Sequence, residues 1–204
     1  MFYFDHSATT PLNPEVMELI NKTQKDFYGN PSSVYTAGRK AKSIIEKSRF
    51  KIAAAINANP EQIIFTSGGT ESNNQVLWSM LKKSNSHVIS NTIEHPAVIK
   101  VLKHLKLLGL DYSLVNVDNN GLVNLNELDK CITPRTKLVS VMMSNNEIGT
   151  IQPIKSIIKL IRDKNILMHT DAVQCLGKIS IDTKDLDIDF LSLSAHKFNG
   201  TKGI

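Results

Sequence analysis

From Pro60 onward the chain alternates short apolar runs with longer segments whose apolar residues fall at helical spacing, and this rhythm constrains the fold more than any other feature. The runs QIIFT (62–66), HVIS (87–90), YSLVNV (112–117), KLVSVMM (137–143) and ILMHTD (166–171) read as strands, with DIDFLSLS (187–194) as a further extended segment. Between them, helices are predicted from Thr70 to about Lys82, from about Pro96 to Leu108, over NLNELDKCI and over PIKSIIKLIRDK. A crossover helix returns the chain parallel to the strand it left. The expected fold is therefore α/β, a mostly parallel sheet flanked by helices on both faces. Two more helices, over residues 14–27 and 37–57, lead the chain, separated by the turn-forming FYGNPSS.

Composition narrows the class of partner. The 24 Lys and Arg against 19 Asp and Glu leave a net charge of +5, but the basic residues are scattered along helical segments and aromatic residues make up only 6%. Nucleic acid is thus not an expected partner. No apolar run approaches the roughly 18 residues that span a bilayer, and MFYFDHSATTP lacks a basic region followed by an apolar stretch. No membrane association is expected, and a cytoplasmic location is. Cys131 and Cys175 lie far apart, with no CxxC and no Cys/His pairing at zinc spacing. Neither a disulfide scaffold nor a metal site is expected.

In open parallel sheets, ligands bind beyond the carboxyl ends of the strands. The first such end reads FTSGGTESNN, where Gly68, Gly69 and Thr70 open a helix. Glycines let backbone N–H groups close around phosphate oxygens, and the helix start adds unpaired donors. The match is to neither nucleotide-binding glycine motif. The second end places His95 before a helix, the third Asn145, Asn146 and Glu147, and the fourth Asp171 with Gln174 three residues on. The fifth ends on Lys197, flanked by Ser194 and His196 after an apolar run. Partial desolvation there would lower the lysine pKa and suit it to form a Schiff base.

Each feature alone reads equally as a turn, a helix cap or a surface side chain. Together they fit one anionic carbonyl compound, pyridoxal 5'-phosphate: phosphate on the SGGT turn, aldehyde at Lys197, ring nitrogen at Asp171. At about 3 Å and an effective dielectric near 20, a carboxylate and a pyridinium attract by roughly 5 kcal/mol before desolvation.

Seven segments, DHSATTPLNPEV, YGNPSSVYTAGRKA, FTSGGTESNN, EHPAV, SNNEIGTIQP, HTDAVQCLGK and SAHKFNGTKG, stand in an order and spacing that resembles the class V aminotransferases, and among them the NifS- and IscS-like cysteine desulfurases. The resemblance implies the large domain of fold type I pyridoxal phosphate enzymes and conversion of L-cysteine to L-alanine, with sulfur passed to an enzyme cysteine as a persulfide. By it, Lys197 carries the cofactor and His95 lies over its ring and moves protons. Asp171 bonds the ring nitrogen, Gln174 the phenolic oxygen, and Asn146 sits near the substrate carboxylate. Gly69 and Thr70, with Ser194 and His196, hold the phosphate, and Ala8 and Thr9 line the substrate entry. It further implies a homodimer and iron–sulfur scaffolds or other sulfur-acceptor proteins as partners.

Two departures accompany the resemblance. The family's nucleophilic cysteine loop, substrate-carboxylate arginine and small carboxyl-terminal domain have no counterpart in these residues, so the chain is expected to be the amino-terminal portion of such an enzyme and inactive alone. Thr201 stands where the family usually has proline. Residues 1–13 would associate with the small domain, and 14–204 would form an incomplete cofactor-binding domain. Cys131, on an apolar helix face, and Cys175, beside Gln174, are poor substitutes for the nucleophile. Other readings are a selenocysteine lyase or aminotransferase on the same scaffold, or a non-catalytic binding module.

Overall fold

The computed structural model describes residues 2–81 and 85–204. Two helices come first, α1 (Pro14–Asp26) and α2 (Thr36–Ala55). Asn13 caps α1 by accepting the Glu15 N–H, and Pro14 stands at the first helical position, where a missing N–H costs nothing. There follow α3 (Gly69–Leu81), β1 (His87–Asn91), α4 (Pro96–Leu107), β2 (Asp111–Val115), α5 (Leu125–Cys131) and β3 (Thr136–Ser140). The chain continues through α6 (Ile154–Ile161), β4 (Leu167–Asp171), the short α7 (Thr183–Leu186) and β5 (Phe190–Ser192).

The five strands form one sheet in the order β2-β1-β3-β4-β5, every neighbouring pair parallel. The alternating rhythm of the sequence foretold this, with one correction. QIIFT is not a strand: Pro60–Gln62 form a 3-10 turn, and residues 63–66 run without ladder pairing. Ile64 is 72% exposed, so the apolar run there marks an uncovered surface rather than a buried strand. The predicted helix end at Lys82 lies outside the described residues. The α7 turn went unforeseen because its four residues are too few to show a period.

Strand pleating sends successive side chains to opposite faces and thereby feeds two cores. Val88 and Leu138 pack with Leu77 and Met80 of α3 and with Val98, Leu102 and Leu105 of α4. Their neighbours Ile89 and Val139 pack on the other face with Leu128 of α5 and the α6 residues Ile154, Ile157, Ile158 and Ile161. Both faces are covered, as a parallel sheet requires.

Toward the carboxyl end, the face under α3 and α4 changes character. Ser90 Oγ donates to the Ser140 carbonyl at 2.7 Å, Ser140 Oγ lies 2.8 Å from His169 Nδ1, and His169 Nε2 lies 3.0 Å from Ser192 Oγ. This belt crosses β1, β3, β4 and β5 immediately below the residues that bear the functional groups. Burial pushes the His169 pKa down to about 3, so the ring is neutral and shares its hydrogen bonds with two hydroxyls.

A histidine whose folded pKa lies below its unfolded value near 6.5 stabilises the fold above that pH and progressively less as pH falls toward 3. The unfolding free energy, followed by urea denaturation, should therefore fall between about pH 6 and pH 4 with up to about 1.4 kcal/mol per pH unit due to this ring. His169→Gln should flatten that slope by the same amount. An unchanged slope would show that the ring is not buried neutral.

Candidate functional site

The strand order turns back between β1 and β3, and ligands in open α/β sheets bind beyond the carboxyl ends of the strands at such a reversal. A cavity of about 500 Å³ opens there, within the size range of small-molecule sites. Its walls come from the N-terminus of α3, the turns following β1, β3, β4 and β5, and the segment around Ser7.

Of the eleven residues to which the resemblance gives a role, ten line this one cavity: Ala8, Gly69, Thr70, His95, Asn146, Asp171, Gln174, Ser194, His196 and Lys197. Thr9 does not. It lies in an adjoining hollow with Ala8, Gly68 and Gly69, and its hydroxyl is 3.0 Å from His196 Nδ1.

Asp171 ends β4 and is more than nine-tenths buried. Asn73 Nδ2 donates to its Oδ2 at 2.6 Å, and the Val173 N–H donates to Oδ1 at 3.0 Å. Burial pushes its pKa up; those two hydrogen bonds, His95 and Lys197 pull it back. Lys197 sits in a 3-10 turn (Ala195–Lys197) after β5 and is half-buried. Burial holds its amine below the usual lysine range, Lys178 adds to the depression, and Asp171 and Asp5 oppose it. Its Nζ donates to the carbonyls of Ser7 and, at 2.8 Å, of Ala8, so the amino-terminal segment crosses directly over it. The same segment is tied to that turn through Thr10 N–H to the His196 carbonyl, 2.9 Å, and Asn13 N–H to the Asn199 carbonyl, 3.0 Å.

His95 caps α4, its Nδ1 accepting the Ala97 N–H at 3.1 Å. A ring that accepts at Nδ1 carries its proton at Nε2 when neutral. The capping role considered from sequence and the cavity position are thus one arrangement. Gly69 opens α3 against Val173, where a Cβ would stand 2.6 Å from Val173 Cγ2 and force that side chain to move. The first-turn N–H groups of that helix lack intrahelical acceptors and face an anion favourably. Asn145 and Asn146 separate in role. Asn145 is buried and holds its turn together by accepting the N–H groups of Glu147 and Ile148, whereas Asn146 lines the cavity. Gln174 donates to the Ser7 carbonyl at 2.8 Å and accepts from Lys178 at 2.9 Å.

Two residues had gone unremarked. Asn73 stands one helical turn beyond Gly69, which places both on one side of α3, and that spacing was readable. Glu94 had no readable signal. It is buried beneath the floor, its Oε1 accepting the Met142 N–H and, at 2.8 Å, Asn91 Nδ2. Burial holds its pKa well above the usual carboxylate range, and Asp171 raises it further.

A doubly covered parallel sheet with an amine, a buried acid and a helix N-terminus around one cavity defines an open α/β protein with a polar cleft at its topological switch point. The class-V aminotransferase model matches residues 2–204, and the chain belongs to that family. It is 44% identical over 205 residues to the cysteine desulfurase IscS of Dictyoglomus turgidum, covering 99% of this chain and 52% of that protein. It is 45% identical over 206 residues to the mitochondrial cysteine desulfurase of Saccharomyces cerevisiae, covering 99% of this chain and 41% of the other. A solved structure of a NifS-like protein superposes with a TM-score of 0.94 at 40% identity, over 98% of this chain and 57% of that one. A structure described as SspA in complex with cysteine gives 0.94 at 36% identity, over 100% and 59%. The chain thus spans about half the length of the curated relatives it matches. Among the described residues, no helix is long and apolar enough to cross a membrane.

Neither cysteine lines the cavity. Cys175 is buried in the core under β4, where burial and then Asp171 push its pKa up to about 12, and Cys131 packs half-buried against the same core. Alkylation proceeds through the thiolate. At about pH 8 iodoacetamide should therefore leave Cys175 unmodified in the folded protein and modify both cysteines in denaturant. Peptide mapping by mass spectrometry reads the result, and equal labelling of Cys175 in both states would contradict its burial.

Proposed function

We propose that this chain is the cofactor-holding part of a pyridoxal-phosphate-dependent cysteine desulfurase acting on L-cysteine in the cytoplasm. The observation that carries the reading is the shared cavity of Lys197 and Asp171, an amine of depressed pKa and a buried acid lining one space. The names of the relatives support it, as does the similarity to a structure described as holding cysteine.

The residues fit the cofactor on three counts. The glycine-walled start of α3 offers amide donors to a phosphate. Asp171 is burdened by burial and gains from a cation that shares the cavity. Asn73 Oδ1 is a buried oxygen with no donor among the described residues, on a side chain that lines the same space. When bound, pyridoxal phosphate supplies an aldehyde that condenses with amines and a ring that withdraws electrons from the Cα bonds of an attached amino acid.

The chain's own groups then have separable tasks. Burial eases removal of the proton from Lys197, the step that frees its Nζ lone pair for attack, and the Ser7 and Ala8 carbonyls hold the amine in place. Asp171 would accept the ring N–H and favour protonation of that nitrogen. His95, its Nδ1 occupied by the Ala97 N–H, would offer its Nε2 proton as a donor to groups in the cavity. Asn146 and Ala8 border the space for the substrate carboxylate. Gln174, whose Nε2 donates to the Ser7 carbonyl, would hold a ring oxygen if that donor turned to it. The sulfur-accepting thiol is neither Cys131 nor Cys175; it comes from outside these residues, as do the partner subunit and the iron–sulfur scaffold or other acceptor.

Borohydride reduction after addition of pyridoxal phosphate, followed by mass spectrometry, should place the label on Lys197 and lose it in Lys197→Ala. Label spread over surface lysines and unchanged by that substitution would refute the site. The 204 residues alone should release essentially no alanine or sulfide from L-cysteine, and robust release would show that an outside thiol is dispensable.

A further inference from the structure

The acid at the end of β4 does not hold its position alone, and the side chain that holds it is part of the cavity wall. Asn73 is 1% exposed, lies on α3 one turn after Gly69, and donates through Nδ2 to Asp171 Oδ2 at 2.6 Å. The donation fixes the amide's orientation, because a carboxylate oxygen cannot face the amide oxygen without repulsion. Oδ1 is thereby turned away from Asp171, and it has no donor among the described residues. The Val173 N–H occupies Asp171 Oδ1 at 3.0 Å, so each carboxylate oxygen already has one fixed donor and the carboxylate plane is set before any ligand arrives.

We propose that Asn73 is a positioning residue that holds Asp171 ionised and aimed at a cationic ring nitrogen of the ligand. The inference deepens the pyridoxal phosphate reading and rests on it. Physically, a buried carboxylate needs donors to remain charged, and a hydrogen bond to a charged group is worth about 1.5–3 kcal/mol. Asn73 heads the opposition to the effect of burial on Asp171, ahead of Val173, His95 and Lys197. The other titratable groups about the pair are Glu94 from the turn before α4, whose charge would oppose that of Asp171, and Cys175 from the turn after β4. The helix start that reaches the phosphate and the side chain that holds the ring acid thus belong to a single turn of α3, so the two ends of the ligand are set by one rigid element.

The test uses the protein at its natural length and pyridoxal phosphate labelled with 15N in the ring. Two readouts are taken, the dissociation constant by absorbance titration and the ring 15N chemical shift, which reports protonation of that nitrogen. Asn73→Leu keeps the volume and removes both polar atoms. It should weaken binding about tenfold or more, the fold-change that one such hydrogen bond represents, and move the shift toward the unprotonated value. Asn73→Ala removes the same polar atoms with a smaller side chain and should likewise weaken binding and move the shift toward the unprotonated value. Circular dichroism verifies folding, and if Asn73→Leu does not fold, Asn73→Ala decides. Wild-type affinity and a wild-type shift in the folded variant that lacks the amide overturn the proposal. An unmodified protein that takes up no cofactor overturns the functional reading itself, and is distinguished from the former by the wild-type titration.

Discussion

Putting a carboxylate at the end of a buried interior strand is the constraint around which the rest of this molecule is arranged. Removed from water, an acid is driven toward its neutral form unless donors or cations surround it. Asp171 has donors on both oxygens, from α3 and from its own turn, and basic groups across the cavity from two further turns. Four elements therefore converge on one side chain. Each also carries a group that faces the same space, so meeting the needs of the acid assembles the cavity.

The layer beneath explains how that convergence is held. Ser90, Ser140, His169 and Ser192 lie one pleat below the functional residues, and hydroxyls on either side satisfy a fully buried imidazole. This polar belt joins four strands across the sheet where the apolar core ends. Glu94 performs a similar service at the edge of the floor, accepting the Met142 N–H and so tying the turn that bears His95 to the end of β3. Neither group enters the chemistry assigned to the cavity. Both fix where its walls stand.

Much of the fold was legible in the sequence because parallel strands buried on both faces read as continuous apolar runs, and crossover helices read at a period near 3.6. The exception, QIIFT, shows the limit of that signal, since an apolar run states only that a segment avoids water and not which neighbour covers it. The candidate site was legible to the extent that it follows strand ends. Lys197, Asp171 and His95 stood where an α/β sheet presents ligands, Gly69 reached the cavity as a helix start although the run before it is no strand, and Thr9 fell in the adjoining hollow. Asn73 was within reach of helical spacing, whereas Glu94 and His169 act through contacts 48 and 29 residues away, and no local pattern encodes those.

The sequence by itself determined the alternation of strand and helix, the glycine-opened helix and the chemical kinds of group available, because periodicity, backbone freedom and side-chain type are local properties. Only the tertiary structure decided that those groups meet. It oriented Asn73 by Asp171, set the lysine amine against the Ser7 and Ala8 carbonyls almost two hundred residues earlier, and withdrew Cys175 from reactivity by burying it. These are effects of distance and desolvation, which arise when segments remote in the chain exclude water from one another.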